Sequence, residues 1–222
     1  MTPEVAILIP ARGRPDTIPL VSRSIRRTTS NASIVFICTE GDNLVIDKVL
    51  NDPVAKLIIV PDYEYGDYAK KINAGYEQTN EPLLFLGATD LNFHPQWFEN
   101  AKSKLNKKIE VVGTNDLGNP DVIKGRHSTH TLVTRNYVDH YGTIDEVGKV
   151  LCELYWHEYV DNEFVETAKY RGKFAMAMNS VVEHMHPMFG KAEWDKQYRN
   201  YRRRYAPSQD IYNDRKKLWT QQ

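Results

Sequence analysis

Neither positive nor negative charge is in excess in this chain. Its 29 Lys and Arg residues balance 29 Asp and Glu, for a formal net charge of +0. No global attraction to nucleic acid or to an anionic membrane is built in, and any such contact needs a local patch. Cysteine is nearly absent too. Cys38 and Cys152, the only two, lie in apolar sequence and form no CxxC pair, which argues against a disulfide framework or a zinc knuckle and fits a reducing cytoplasm. No apolar run approaches the ~20 residues of a membrane span, and the chain enters Val5-Ala-Ile-Leu-Ile9 without a basic leader. The expectation is a soluble, cytoplasmic protein with no membrane insertion. Internal repeats and low-complexity segments are also lacking. So is a glycine-rich loop after the first apolar run, which ranks a nucleotidyltransferase last among the readings.

What is present is a chain of 222 residues, 41% hydrophobic, able to bury a full core. It is long for one average domain and short for two, so we expect one domain over residues 1–190 and an extension over 191–222. Apolar, β-rich runs alternate with helical patterns, the mark of an α/β fold with a mostly parallel sheet between helices. Strands are expected at Val5–Pro10, Ser33–Cys38, Lys56–Val60, Leu83–Leu86, Glu110–Thr114 and Thr131–Thr134. Helices are expected at Pro15–Thr28, Leu44–Asn51, Tyr68–Thr79, from Pro95 to about Leu105, at Arg135–Tyr141 and at Asp161–Tyr170, with Ala175–His184 closing the regular part.

The most informative stretch is Leu83-Leu-Phe-Leu-Gly-Ala-Thr-Asp90-Leu-Asn92. A buried strand that ends in an acid delivers a carboxylate to the C-terminal edge of an α/β sheet, where ligands bind. Asp90 is thus a candidate ligand for a hard cation, or else a turn former. Four segments in one order match a known pattern: Val5-Ala-Ile-Leu-Ile-Pro-Ala-Arg-Gly-Arg-Pro15, Cys38-Thr-Glu40-Gly-Asp42, Ala69-Lys-Lys-Ile-Asn73-Ala-Gly75 and Phe85-Leu-Gly-Ala-Thr-Asp90. Over residues 5 to 190 the chain resembles the family 2 glycosyltransferases of the GT-A fold. That resemblance implies a Rossmann-like sheet with a nucleotide-sugar site, a UDP-sugar being the expected donor. It implies donor-binding roles for Pro10, Ala11, Arg12, Arg14, Glu40, Lys71, Asn73, Gly87, Thr89 and Asp90. The strings Thr114–Pro120 and Glu183–Pro187 further resemble short bacteriophage-encoded glycosyltransferases, which would place the protein in a host cytoplasm.

The later half matches the family in spacing. Tyr141-Gly142-Thr-Ile-Asp145-Glu146 resembles a segment that precedes the family's acceptor motif. Asp161-Asn-Glu163-Phe164, Gly172 and Val181-Val-Glu-His184 fall at compatible intervals after it. The resemblance makes Asp161, with Glu163 sharing the work, the base of a direct, inverting displacement, whereas an Asp at a helix start is also an ordinary N-cap. It makes His184 a metal ligand beside Asp90. His186 lies at strand spacing from it and faces the same way. The metal motif is depleted, since Gly87 and Thr89 stand where acids are usual, leaving Asp90 and Asn92. A divalent cation shared by one carboxylate, one imidazole and substrate phosphates remains reasonable, and an imidazole ligand favours Mn²⁺ over Mg²⁺.

Two further concentrations complete the reading. Arg126-His127-Ser-Thr-His130 places His127 and His130 on the acceptor side in the resembled fold. The extension interleaves tyrosine and arginine, Lys196-Gln-Tyr198-Arg199-Asn-Tyr201-Arg202-Arg-Arg204-Tyr205. Arginines on phosphates with tyrosines under bases suit nucleic acid, so Arg202 and Arg203 are acceptor candidates for phage DNA carrying hydroxymethylated bases. The same string also suits an amphipathic helix packed on the domain. A protein or polysaccharide hydroxyl is the alternative acceptor, and a non-catalytic nucleotide-sugar-binding module the alternative function. Oligomeric state is not legible.

Overall fold

The computed structural model describes residues 2–199 and 201–220, without the side chains of residues 201–204. Strand β1 (Val5–Ala11) lies inside the sheet with helices on both faces. Val5, Ile7 and Ile9 enter one core cluster, while Ala6 and Leu8 enter the other. Burial on both sides is why its sequence is continuously apolar instead of alternating. After a single 3₁₀ turn at Pro15–Thr17, α1 (Ile18–Thr28) buries Ile18, Val21, Ser22 and Ile25, one face at helical spacing, and ends on Arg26 and Arg27, cations placed at its negative end. Then come β2 (Ala32–Thr39), α2 (Asn43–Leu50), β3 (Ala55–Val60), α3 (Asp67–Glu77) and β4 (Leu83–Leu86). Strands β1 to β4 are mutually parallel in the order 3-2-1-4.

The second half comprises β5 (Leu91–Phe93), α4 (Trp97–Lys102), β6 (Val111–Asn115), α5 (Pro120–Ile123), β7 (Thr131–Thr134), α6 (Arg135–His140), α7 (Val160–Tyr170) and β8 (Phe174–His184). It extends the sheet to β3-β2-β1-β4-β7-β6-β8-β5. Only β7 and β5 run against the others, so the expected α/β class with a mostly parallel sheet is what forms. Two elements were not expected. Strand β5 is three residues long, too short to show a period. Helix α5 is a single turn, though it carries its own signals: Asn119 accepts from the Asp121 N–H at 3.0 Å, and Pro120 occupies N1.

Trp97 locks the two halves together. It is fully buried, edge-on to Phe85 at 4.8 Å and to Phe93 at 4.9 Å, and its indole N–H donates to Thr29 Oγ1 at 2.7 Å.

The extension, expected as a helical tail, forms α8 (Lys196–Arg199), α9 (Tyr201–Arg215) and α10 (Lys217–Thr220), and it lies back on the domain. Ser208 accepts from the Trp156 N–H at 3.1 Å, Tyr212 stacks near Tyr159 at 5.1 Å, and Trp219 is 6% exposed. No helix among the described residues is long and apolar enough to cross a membrane.

Candidate active site

One edge of the sheet gathers the C-terminal ends of β1, β4, β6 and β8 and the start of β7. A cleft of about 460 Å³ opens there, lined by Pro10, Arg12, Arg14, Thr89, Asp90, His130, Asp161 and His184 among the expected residues. Ala11, Glu40, Lys71, Asn73, Gly87, His127 and Glu163 stand outside that lining. Arg202 and Arg203 have side chains outside the described residues.

On the donor side, half of the expected residues line the cleft, and Lys71, Asn73 and Gly87 stand behind its wall. Lys71 is fully buried. Its Nζ donates to the Ala11 carbonyl at 2.9 Å and Thr39 Oγ1 at 2.7 Å, and pairs with Asp67 at 3.0 Å. Burial pulls its pKa down against the pull of Asp67. Asn73 is equally internal. Its Oδ1 accepts from the Val150 and Leu151 N–H groups at 2.9 and 3.0 Å, while its amide donates to the Leu151 carbonyl at 2.9 Å. Gly87 lets two strands approach closely: its N–H donates to the Leu8 carbonyl at 2.9 Å, and a Cβ there would stand 3.0 Å from that oxygen. Glu40 is exposed at the end of β2. Arg12 pairs with Asp62 at 2.7 Å and reaches Asp67 at 3.5 Å.

Asp90 is where the chemistry concentrates. Antiparallel pairing of β5 with β8 sets Leu91 opposite His184, and the Met185 N–H donates to the Asp90 carbonyl at 2.8 Å. The two residues found separately in the sequence therefore meet, with His184 Nε2 3.4 Å from Asp90 Oδ2. The same oxygen accepts from Tyr198 at 2.6 Å and from Arg14 at 3.3 Å. Arg14 in turn lies 3.6 Å over the Tyr198 ring and pairs with Asp195 at 2.8 Å. Burial alone would raise the Asp90 carboxyl; His184, Tyr198 and Arg14 outweigh it and hold it below the usual range. His186 instead turns its Nδ1 to the Met188 N–H at 3.1 Å, capping the turn at Pro187–Phe189, and meets Tyr198 edge-on at 4.6 Å.

Asp90 and His184 suit a divalent cation as two ligands, because 3.4 Å is near the roughly 3 Å between adjacent ligands of an octahedral shell. No cluster of three or more His, Cys, Asp or Glu side chains among the described residues has an arrangement that could hold a metal. The remaining ligands would have to come from phosphate and water.

Across the cleft, α7 begins at Val160 after Tyr159, a non-glycine residue at φ 67, a left-handed conformation that persists only where surroundings hold it. Asp161 faces the cleft, and His127 Nε2 stands 3.2 Å from its Oδ2. Burial would raise Asp161, but His127 lowers it; burial would lower His127, but Asp161 raises it. Tyr159 makes no side-chain cap bond at this helix start, whereas Asp161 Oδ1 accepts from the Asn162 N–H at 3.0 Å, so Asp161 also ties down a first-turn N–H. Glu163, two residues on, is drawn away. It is 2% exposed and accepts from Tyr155 at 2.7 Å and from Arg215 at 2.7 and 2.8 Å. Those three bonds fill its oxygens and fasten the extension to α7. His130 also lines the cleft, 4% exposed, with its pKa brought down to about 4 by burial and by His184.

Sequence reasoning did not name Tyr198, Gln197 or Tyr205 as lining residues, although all three reach the cleft from the extension. The Tyr/Arg interleaving marked the segment but not its destination, since nothing local specifies where an appended helix folds back. Tyr68 lines the cleft from α3 beside Asp67, at the end of the acidic, tyrosine-rich string Asp62-Tyr63-Glu64-Tyr65-Gly66-Asp67-Tyr68.

Comparison of the whole chain with solved structures finds glycosyltransferases. A mannosyltransferase from Pyrobaculum calidifontis, in complex with GDP-Man and Mn²⁺, superposes with a TM-score of 0.66 at 15% identity over 94% of this chain and 62% of its own. Glucosyl-3-phosphoglycerate synthase from Mycobacterium tuberculosis, with Mn²⁺, UDP and phosphoglyceric acid, gives 0.63 at 13% identity over 97% of this chain and 78% of its own. S. aureus TarS gives 0.60 at 12% over 82% and 36%. The chain thus spans less than two thirds of the mannosyltransferase's length. No family model and no curated protein matches the sequence. At these identities the likeness establishes the fold, which is the GT-A arrangement expected from the sequence.

Proposed function

We propose that the protein is a glycosyltransferase that moves a sugar from a nucleotide-sugar donor to an acceptor hydroxyl, with inversion at the anomeric carbon. The observation that carries this reading is that the Asp90 and His184 pair and the Asp161 carboxylate line one cleft at the sheet edge. A leaving diphosphate needs positive charge, and an acceptor hydroxyl needs a base. Bound between Asp90, His184 and the donor phosphates, a divalent cation would neutralise charge developing on the leaving group. Mn²⁺ is favoured because one ligand is an imidazole.

The chain's own residues account for the rest. Arg14, at the rim of the cleft, offers a cation to the diphosphate once released from Asp90 and Asp195. Lys71 and Asn73 hold the wall on which the donor rests. Asp161 takes the proton of the acceptor hydroxyl as its oxygen attacks the anomeric carbon. The bond from that carbon to the diphosphate oxygen breaks on the opposite face, and the diphosphate leaves with the electron pair. His127 keeps Asp161 ionised and aimed.

We take UDP-sugars as the first donors to test and GDP-sugars as the next, since UDP is the ligand in two neighbours and GDP-Man in one. For the acceptor, Tyr212 and Trp219 lie against the domain while Tyr198 and Tyr205 turn into the cleft, so these four aromatics are not arrayed on an exposed outer face. A carbohydrate or protein hydroxyl is therefore the working acceptor, and phage DNA is retained through Arg202, Arg203 and Arg204. Neutralising those three together and measuring duplex binding against salt decides it: a flattened salt dependence supports DNA, and no binding by the intact protein removes it.

A second reading has a specific basis. Asp90 Oδ2 already meets three partners, as suits a non-catalytic module that binds nucleotide sugars without cleaving them. Thermal shift of a nucleotide-sugar panel with and without Mn²⁺, followed by assay of nucleoside diphosphate release, separates the two. Release supports the enzyme, binding without release supports the module, and no binding rejects both.

A further inference from the structure

His130 stands immediately before β7, whose first residue is Thr131, and lines the same cleft as Asp90 and Asp161. Its Nδ1 lies 2.9 Å from the Leu86 carbonyl. A carbonyl only accepts, so Nδ1 carries the proton. The ring is held on its other side by His184, edge-on at 5.2 Å. Its second nitrogen, Nε2, is buried and has no hydrogen-bond partner. Orphaned buried polar atoms are uncommon and disfavoured, and one in a ligand cleft implies a partner that arrives with the ligand.

The chemistry of that partner follows from the tautomer. With the proton on Nδ1, the neutral imidazole presents a lone pair at Nε2 and nothing else. It repels phosphate oxygens, which have no hydrogen to offer, and accepts from a hydroxyl or an amide N–H. Within a donor, phosphates would gather at Asp90 and the anomeric carbon would face Asp161. The part left beside His130 is the sugar ring. We propose that His130 is a specificity-determining residue whose Nε2 accepts a hydrogen bond from one hydroxyl of the transferred sugar. This deepens the glycosyl-transfer reading and rests on it.

The logic is that of a site built to pair with a hydroxyl: an analogue lacking it leaves the nitrogen unpaired and is rejected, whereas an apolar wall would discriminate weakly. Epimers that move this hydroxyl should be rejected as strongly as deoxy analogues.

The experiment uses the full chain with Mn²⁺ and calorimetry of two ligands, a nucleoside diphosphate and the matching nucleotide sugar. His130→Asn places an amide nitrogen where Nδ1 stood, keeping a donor for the Leu86 carbonyl while removing the Nε2 acceptor. His130→Gln reaches the ε position with an amide and restores an acceptor there. The expected result is nucleoside diphosphate affinity unchanged within about twofold in both variants. Nucleotide-sugar affinity should fall about tenfold in His130→Asn, the scale of one hydrogen bond, and recover in His130→Gln. Monodeoxy donors keep the proposal falsifiable even if a variant fails to fold: one of them should bind wild type about tenfold more weakly and bind His130→Asn no more weakly than the parent sugar does. Equal weakening of both ligands would reassign Nε2 to phosphate or metal and overturn the proposal. So would an unchanged nucleotide-sugar affinity, or a wild type indifferent to every monodeoxy donor. A wild type that binds no nucleoside diphosphate at all would instead sink the underlying glycosyl-transfer reading.

Discussion

The half of the molecule built from β1 to β4 and the half built from β5 to β8 use their polar residues in opposite ways. In the first, Lys71 and Asn73 are tied to carbonyls and carboxylates of the same half or to the loop packed on it, and they make a stiff wall. In the second, polar side chains are left facing open space: Asp161 on the cleft with one imidazole behind it, and His130 with a nitrogen unpaired. A family resemblance in sequence does not separate these uses, because a residue that shapes a donor pocket from behind and one that touches the donor recur at equally regular spacings. Burial separates them. A side chain with every polar atom satisfied internally has nothing left to offer a ligand.

That contrast can be broken at Asp90, the point where the halves meet. Asp90→Ala should abolish Mn²⁺-dependent thermal stabilisation by a nucleoside diphosphate and lower transfer by about 10³-fold, the scale of losing a preorganised electrostatic group, with the circular dichroism spectrum unchanged. Retained metal-dependent stabilisation would exclude Asp90 from the site.

Asp161→Asn tests the open half. It keeps size but not basicity, so transfer should fall by about 10²-fold or more while donor binding persists. Near-normal turnover in single-turnover assays would reassign the base. Glu163→Gln is the matched control, expected to lower stability by loosening Arg215 rather than to act on the chemical step.

The stiff half gives the converse result. Asn73→Ala leaves the Val150 and Leu151 N–H groups buried without their acceptor, which should cost about 1–3 kcal/mol per group in urea unfolding, with nucleotide affinity at saturating folded protein unaltered. Selective loss of nucleotide binding without destabilisation would restore Asn73 to direct contact.

The His127 and Asp161 pair carries a pH signature. His127 is raised above its ordinary 6.5, so its stabilising share is complete below that value and fades as pH rises through the folded value. Asp161 is lowered from 3.8, so its share is present above that value and is lost as acid titrates the folded carboxyl. The stability difference between wild type and His127→Ala should therefore be largest between those limits and shrink on either side. A difference that stays constant from pH 4 to pH 9 would disprove the coupling.

The smallest effect is expected at Tyr198→Phe. Removing one hydrogen bond from Asp90 Oδ2 should tighten Mn²⁺ binding by about threefold to tenfold, measured by calorimetry with a nucleoside diphosphate. Weaker binding in that variant would mean that Tyr198 helps to hold the ligand instead of competing with it.

Strand β1 and strand β4 were legible because burial on both faces leaves no option but an apolar run, and Asp90 stood out as the acid that ends one. Helices α1 and α7 were legible from their 3.6-residue stripes, within one to three residues at their ends. Strand β5 was not, since three residues carry no period and its identity depends on β8 lying alongside. The extension was legible as helical and aromatic, but its course across the cleft was not.

Residue types and their order, by themselves, determined the α/β class, the strand that carries Asp90, and Asp161 at the start of α7. Local sterics and the burial of apolar surface act over a few residues, and those features depend on nothing more distant. Tertiary structure alone decided that His184 meets Asp90, that Glu163 turns to Arg215 instead of the cleft, that Tyr198 bonds the candidate metal carboxylate, and that His130 keeps one nitrogen unpaired. Each of these depends on a partner 40 or more residues away. Which polar group meets which is set by the sheet register and by how the chain packs back on itself.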